Sequence, residues 1–141
     1  MSKDLIVDLH PAFRPITLAI LAESQAELTR VGGGTVRASV TGRSLSEQAA
    51  AKAAGLSQVN VGWHQYGLAV DVAVITPGGS YVADGKDPRY ATVGAIAKQH
   101  GCIWGGDWHH PDWDHFEWHP GFTLGQYQAW LAVHPPPAVA A

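Results

Sequence analysis

The pattern of apolar and polar positions divides the chain into short elements of both kinds. From Pro11 to Val31, Phe13, Ile16, Ile20 and Leu21 recur at helical spacing, and Pro11 and Pro15 are compatible with a helix only near its start. Gly32-Gly33-Gly34 stops that helix. Thr35 to Val40 is short and rich in strand-forming residues, and it leads into the turn Thr41-Gly42-Arg43. Ser44-Leu45-Ser46-Glu47 has the form of a capping box, in which the serine and glutamate side chains satisfy each other's free backbone N–H groups; it opens an alanine-rich helix that ends at Gly55.

Leu68 to Ile75 alternates with the period of a strand. Leu68, Val70, Val72 and Val74 fall on one face, predicted to be core, and Ala69, Asp71, Ala73 and Ile75 fall on the other. The second face carries one carboxylate between two alanines, whose small side chains leave room for something bulky against the sheet. Thr76 to Asp84 contains Pro77, Gly78 and Gly79 and reads as a turn or hairpin. Asp87-Pro88 is an N-cap followed by proline at the first helical position, and the helix it opens runs to Gln99 or His100 and stops at Gly101. Strands are expected at Cys102 to Trp104 and at Asp114 to Trp118. Thr123-Leu124-Gly125-Gln126 is a second capping box, for a last helix to about Val133. Helices at both ends with strands between them predict an α+β architecture. It forms one domain over residues 1–134, and the proline-rich segment 135–141 is a flexible tail.

Composition narrows the classes. At 141 residues the domain can bury roughly two thirds of its unfolded surface, so neither metal nor disulfide is required merely to hold it together. Hydrophobic residues at 46% and charged residues at 15% exclude a disordered chain, and a net charge of -3 gives no reason to expect nucleic acid as a partner. The lone Cys102 excludes a disulfide scaffold and a cysteine-ligated zinc finger; in its apolar setting it reads as an inert core residue rather than a nucleophile. No stretch approaches the ~20 apolar residues that span a bilayer, and Met1 to His10, with Asp4 and Asp8, is not a secretory signal. The expectation is therefore a monomer made in the cytoplasm.

The unusual entries are eight His and six Trp, many of them between Trp104 and His119. A catalytic zinc site needs three His or carboxylate ligands and one position left open for water. His64 and Asp71 are one candidate pair, with Gly67 allowing the chain to turn back between them; taken alone the pair is weak evidence, and a surface histidine and a hydrogen-bonded aspartate account for it better. Asp112-x-x-His115 offers a carboxylate and an imidazole to one site, the carboxylate as base on a polarised water. Glu117 shares a strand face with His115 and either orients its ring or is a solvated carboxylate. His109, His110 and His119 read as surface groups or substrate contacts, and His10, His100 and His134 as structural or exposed. Trp63, Trp108 and Trp113 either line a groove or simply pack.

Together these segments resemble one family. His64-Gln65-Tyr66-Gly67-Leu68-Ala69-Val70-Asp71 is similar to an H-x-x-G-x-A-x-D signature. Trp104-Gly105-Gly106-Asp107-Trp108, followed by Asp112-x-x-His115-Phe116-Glu117, is similar to a second, and Thr41-Gly42-Arg43-Ser44 with Gln48 to a third, the G-Y-R-S turn and its helix. These are signatures of the VanY-like zinc peptidases, the D-Ala-D-Ala carboxypeptidase and L-alanyl-D-glutamate endopeptidase family. The resemblance implies a small antiparallel sheet with flanking helices, the fold shared with Hedgehog signalling domains. It also implies Zn2+ on His64, Asp71 and His115, with Asp112 as general base and Arg43 on the substrate carbonyl or carboxylate. Gln48, Glu117, Trp108 and Trp113 then hold substrate or support the ligands. An aspartate at the base position together with W-G-G-D-W is closer to the endopeptidase branch, which includes phage endolysins, than to the carboxypeptidases. The chain departs from the pattern in lacking the aromatic of G-Y-R-S and in having Gly62 where a serine usually precedes the ligand histidine by two.

The implied function is hydrolysis of the L-alanyl-D-glutamate bond of peptidoglycan stem peptide, in cell-wall lysis by an enzyme released from the cytoplasm. D-Ala-D-Ala carboxypeptidase or dipeptidase activity is the alternative within the family, and a non-catalytic zinc-binding interaction domain is the alternative outside it.

Overall fold

The computed structural model describes residues 5–40 and 63–119, together with Gly125, Gln126 and Ala129. Arg43, Gln48 and the predicted helix from Ser44 to Gly55 lie outside the described residues. Of the predicted last helix, Gly125, Gln126 and Ala129 are described, and they are helical.

Two helices and four strands build the described part. Helix α1 spans Arg14–Val31, β1 Thr35–Val40, β2 Ala69–Ile75, α2 Pro88–Gln99, β3 Ile103–Trp104 and β4 His115–Glu117. The strands form one antiparallel sheet in the order β1-β2-β4-β3. The α+β architecture is as the alternation of elements predicts.

Both helices begin and end where their local chemistry dictates. At the start of α1 the chain from His10 to Phe13 forms a turn, in which the His10 carbonyl accepts from the Phe13 and Arg14 N–H groups, so the helix proper begins at Arg14 rather than Pro11. Gly32 closes α1 in the left-handed region (φ 69°), a conformation that costs glycine nothing. In α2 the Asp87 carboxylate accepts from the Arg89 N–H at 3.0 Å and Pro88 fills the first turn.

One face of the sheet is sealed by the helices. Leu68, Val70, Val72 and Val74 are all buried, as the alternation predicts, and they pack with Phe13 and Ile20 of α1, Tyr90, Val93 and Ala97 of α2, and Phe116 of β4. Phe116 meets Phe13 edge-on, ring centroids 6.2 Å apart. Cys102 belongs to this core, and burial pushes its thiol up to about 12, which keeps it un-ionised and inert. The opposite face of β2 and β4 carries the polar residues. Register decides which they are: Asp71 lies directly across from His115, and Ala69 across from Glu117.

Candidate metal centre

Each of the three predicted ligands is positioned by a different device. Asp71 projects from the middle of β2, whose backbone is paired on both sides, with β1 and β4. His115 opens β4; the chain just before it is tied down by the Val72 N–H donating to the Asp114 carbonyl at 2.8 Å. His64 sits in the 3-10 turn Trp63–Tyr66, and Gly67 turns the chain from there into β2. Gly67 has φ 69°, and a Cβ on it would lie 2.5 Å from the His10 backbone N, so the position needs glycine for both conformation and space.

These devices bring His64, Asp71 and His115 together, with one donor atom from each lying within 4.8 Å of the others. Asp71 Oδ1 is the hub, 2.9 Å from His115 Nδ1 and 3.4 Å from His64 Nε2. The imidazole rings are 5.2 Å apart and nearly perpendicular. Both histidines are buried, and His64 Nδ1 has no hydrogen-bond partner. Two imidazoles and a carboxylate converging through nitrogen and oxygen suit a borderline divalent ion such as zinc, and the residues fit that group.

The electrostatics are those of a cation site. Burial alone would push the Asp71 carboxyl up, but hydrogen bonds and charge from His115 and His64 outweigh it and hold the group well below the usual carboxylate range. Burial alone would pull His115 down, yet its bonds to Asp71 and Glu117 raise it to about 10. In metal-free protein a proton on His115 thus supplies the positive charge that the carboxylates demand.

Glu117 stands behind His115. Its Oε1 accepts from His115 Nε2 at 2.8 Å, leaving Nδ1 directed at Asp71. Its Oε2 accepts from His119 Nε2. Burial opposes ionisation of Glu117, but the bonds and charge from His115 and His119 prevail and lower its pKa. The arrangement is that of a ligand imidazole oriented by a carboxylate on its far nitrogen.

Asp112 lies at the open side. Its Oδ2 is 3.9 Å from His115 Nδ1, and its side chain is half exposed. The Asp112 N–H donates to the Gly105 carbonyl and its carbonyl accepts from the His115 N–H, which fixes the residue at the mouth of the site. Gly105 is required there: a Cβ would lie 2.3 Å from the Asp112 carbonyl oxygen. A cleft of about 180 Å³ opens beside Asp112, lined among others by Tyr81, Gly85, Pro111 and Trp113.

The tryptophans divide by role. Trp104 donates through Nε1 to the Trp113 carbonyl at 2.8 Å and packs edge-on against its ring, so Trp113 both braces the loop and lines the cleft. Trp108 is exposed, with its ring centroid 5.2 Å from that of His115. Trp63 stacks on His119 with centroids 3.9 Å apart. His109 and His110 are exposed and pack on each other.

Of two further residues at the site, one went unnoticed in the sequence and the other, His119, was expected as a surface group or substrate contact. Asp114 shares a hydrogen bond with Asp112; burial first, then that bond and the negative charge of Asp71 and Asp112, push its carboxyl up to about 8. It can therefore hold a shared proton at neutral pH. Asp71, Asp112 and Asp114 form a second group of donor atoms within 4.8 Å, all oxygen. His119 is the other, and its signal was legible: His115-x-Glu117-x-His119 repeats with the period of a strand face.

Residues 56–118 match the family model described as D-alanyl-D-alanine carboxypeptidase. The matched segment contains all three converging side chains, together with Asp112. The matched segment excludes Arg43 and Gln48. No curated protein matches the sequence. Among solved structures, the Serratia marcescens L-Ala D-Glu endopeptidase ChiX is similar in fold, with a TM-score of 0.66 over 89% of each chain at 24% identity. The described helices and antiparallel sheet thus share the fold of that structure. No helix among the described residues is long and apolar enough to cross a membrane.

Proposed function

We propose that this protein is a zinc-dependent endopeptidase that cuts the L-alanyl-D-glutamate bond of peptidoglycan stem peptide. The observation that carries the metal-dependent reading is the convergence of His64, Asp71 and His115 with Asp112 at the mouth of the same site. The choice of bond is supported by the aspartate at the base position, the Trp104-Gly105-Gly106-Asp107-Trp108 run and the printed activity of the similar Serratia structure. The aspartate and the tryptophan run, which resemble the branch that includes phage endolysins, support a role as an endolysin acting on the wall.

His64, Asp71 and His115 would hold the zinc ion. When bound, zinc supplies Lewis acidity, bringing the pKa of water toward ~7 and polarising the scissile carbonyl. The chain's own residues do the rest. Asp112, half exposed at the mouth of the site, would accept the proton of the attacking water and deliver it to the leaving amine. Glu117 keeps the His115 ring turned so that Nδ1 faces Asp71. Arg43, on the family pattern, binds the substrate carbonyl or carboxylate and steadies the charge that develops there, a contribution that is typically worth ~3 kcal/mol for a single donor. The exposed ring of Trp108 offers the substrate an apolar surface next to His115.

The description of the matched family favours a second reading, removal of terminal D-Ala. Digestion of purified peptidoglycan, with mass spectrometry of the fragments and a chelator control, separates them. New N-terminal D-Glu is the expected product. Released D-Ala selects carboxypeptidase action. Zinc bound without any product selects a non-catalytic binding domain.

A further inference from the structure

The reading of His64, Asp71 and His115 as zinc ligands leaves His119 unexplained, although it bonds Glu117, the carboxylate that also takes His115 Nε2. Its Nε2 meets Glu117 Oε2, while Glu117 Oε1 takes His115 Nε2. A carboxylate accepts at both oxygens and donates at neither, so both imidazoles carry their protons on Nε2. Once a cation displaces the extra proton of His115, that assignment leaves its lone pair on Nδ1, the nitrogen beside Asp71. The ring face of His119 is also stacked on Trp63, at 3.9 Å and only 9° from parallel. Trp63 immediately precedes His64 in the same 3-10 turn. Its carbonyl also accepts from the Leu68 N–H, closing that turn against the start of β2.

His119 therefore touches both ligand-bearing segments at once, the β4 segment through Glu117 and the His64 turn through Trp63. Without it, Glu117 keeps one hydrogen bond rather than two and can rotate about its terminal torsion, and the His64 turn loses the aromatic face that it rests on. We propose that His119 is a positioning residue for the metal centre: by fixing the second oxygen of Glu117 it locks the ring orientation of His115, and by stacking on Trp63 it holds the two histidine ligands at their mutual spacing. Of the two contacts, the hydrogen bond to Glu117 carries the larger share, because it acts directly on a ligand ring.

This inference rests on the zinc-peptidase reading, and its test is chosen so that the two fail separately. Two substitutions divide the functions of His119. His119→Gln keeps an N–H donor for Glu117 and gives up the ring, whereas His119→Phe keeps the ring on Trp63 and gives up the donor. Zinc dissociation constants are measured by competition with a chromophoric chelator, alongside melting temperatures of zinc-free and zinc-loaded protein. The expected result is that His119→Phe binds zinc roughly 10- to 100-fold more weakly than wild type, the usual effect of losing a group that supports a ligand, while His119→Gln stays close to wild type. Wild-type affinity in His119→Phe overturns the proposal. So does a fall in melting temperature that is equal in zinc-free and zinc-loaded protein with no change in zinc affinity, since that is what a purely structural residue produces. If wild-type protein binds no zinc, the peptidase reading fails and this one goes with it. Zinc bound equally by wild type and both variants sinks only the role of His119.

Discussion

At the scale of single residues, the site is a contest among carboxylates for a small number of positive charges. Asp71 and Glu117 both bond His115, and in metal-free protein the imidazole answers, against its burial, by keeping its proton to about 10. A cation at this position displaces that proton, so zinc should bind more tightly as pH rises and should release protons as it binds. Stability follows the same linkage. The folded-state pKa of His115 is raised above the ordinary 6.5, so its contribution is complete below about 6.5 and is lost as pH rises toward 10. Asp71 is depressed, so its contribution is present above about 3.9 and is lost on acidification below that value. Zinc-free protein should therefore lose melting temperature between pH 7 and 10 more steeply than zinc-loaded protein, as scanning calorimetry of the two forms would show. A parallel fall in both forms would mean that His115 is not the group being titrated.

Asp112 and His115 separate chemistry from metal holding. Asp112→Asn should keep its zinc and lose activity by about 100- to 10,000-fold, the range expected for removing a general base. His115→Ala should lose both. Metal content measured beside turnover on a stem-peptide substrate distinguishes the two outcomes. Retained activity in Asp112→Asn would move the base elsewhere, with Asp114, which shares a hydrogen bond with Asp112, the nearest alternative.

At the scale of elements, the site depends on turns as much as on ligands. Gly67 lets the His64 turn enter β2 while the His10 backbone passes close by, with the His10 N–H donating to the Gly67 carbonyl at 2.9 Å. Gly67→Ala adds a Cβ into that contact at an unfavourable φ, and should cost roughly 1–3 kcal/mol of stability. It should also weaken zinc binding, because His64 moves with the turn. Urea unfolding and a zinc titration check the two effects; a loss of stability with unaltered zinc affinity would show that the turn does not position His64. Elements governed by local rules were legible in advance. The alternation of Leu68, Val70, Val72 and Val74 marks the core face of β2, and Asp87-Pro88 with Gly101 brackets α2, because side-chain period and capping are properties of a few adjacent residues. Boundaries moved where a distant partner decides them. Asp114 and Trp118 flank β4 rather than belonging to it, yet each bonds β2 or its approach, through the Asp114 carbonyl to Val72 and the Trp118 N–H to the Leu68 carbonyl.

At the scale of the whole molecule, the fold divides its labour across the sheet. The face under α1 and α2 supplies the apolar burial, and the opposite face of β2 and β4 is left to carry the charged cluster. The antiparallel register of these two strands makes Asp71 and His115 neighbours despite their separation in sequence. No local pattern encodes that register, which is why the ligand set could be read only from its likeness to family signatures. The same reason hid Asp114, which Asp71 of the neighbouring strand helps to perturb, whereas the bridge from Glu117 to His119 had a local signal in the strand-period repeat. Arg43 and Gln48, the remaining elements of the family pattern, lie outside the described residues, so the structural case for catalysis rests on the metal centre and Asp112.

The most direct test of that centre is the zinc-edge X-ray absorption spectrum of the loaded protein, with metal content measured on the same sample. The expected result is one zinc per chain in a shell of two imidazole nitrogens at about 2.0–2.1 Å plus oxygen ligands. An oxygen-only shell would place the ion among Asp71, Asp112 and Asp114 instead, and sulfur scattering would bring in Cys102; either would contradict His64, Asp71 and His115 as the ligand set.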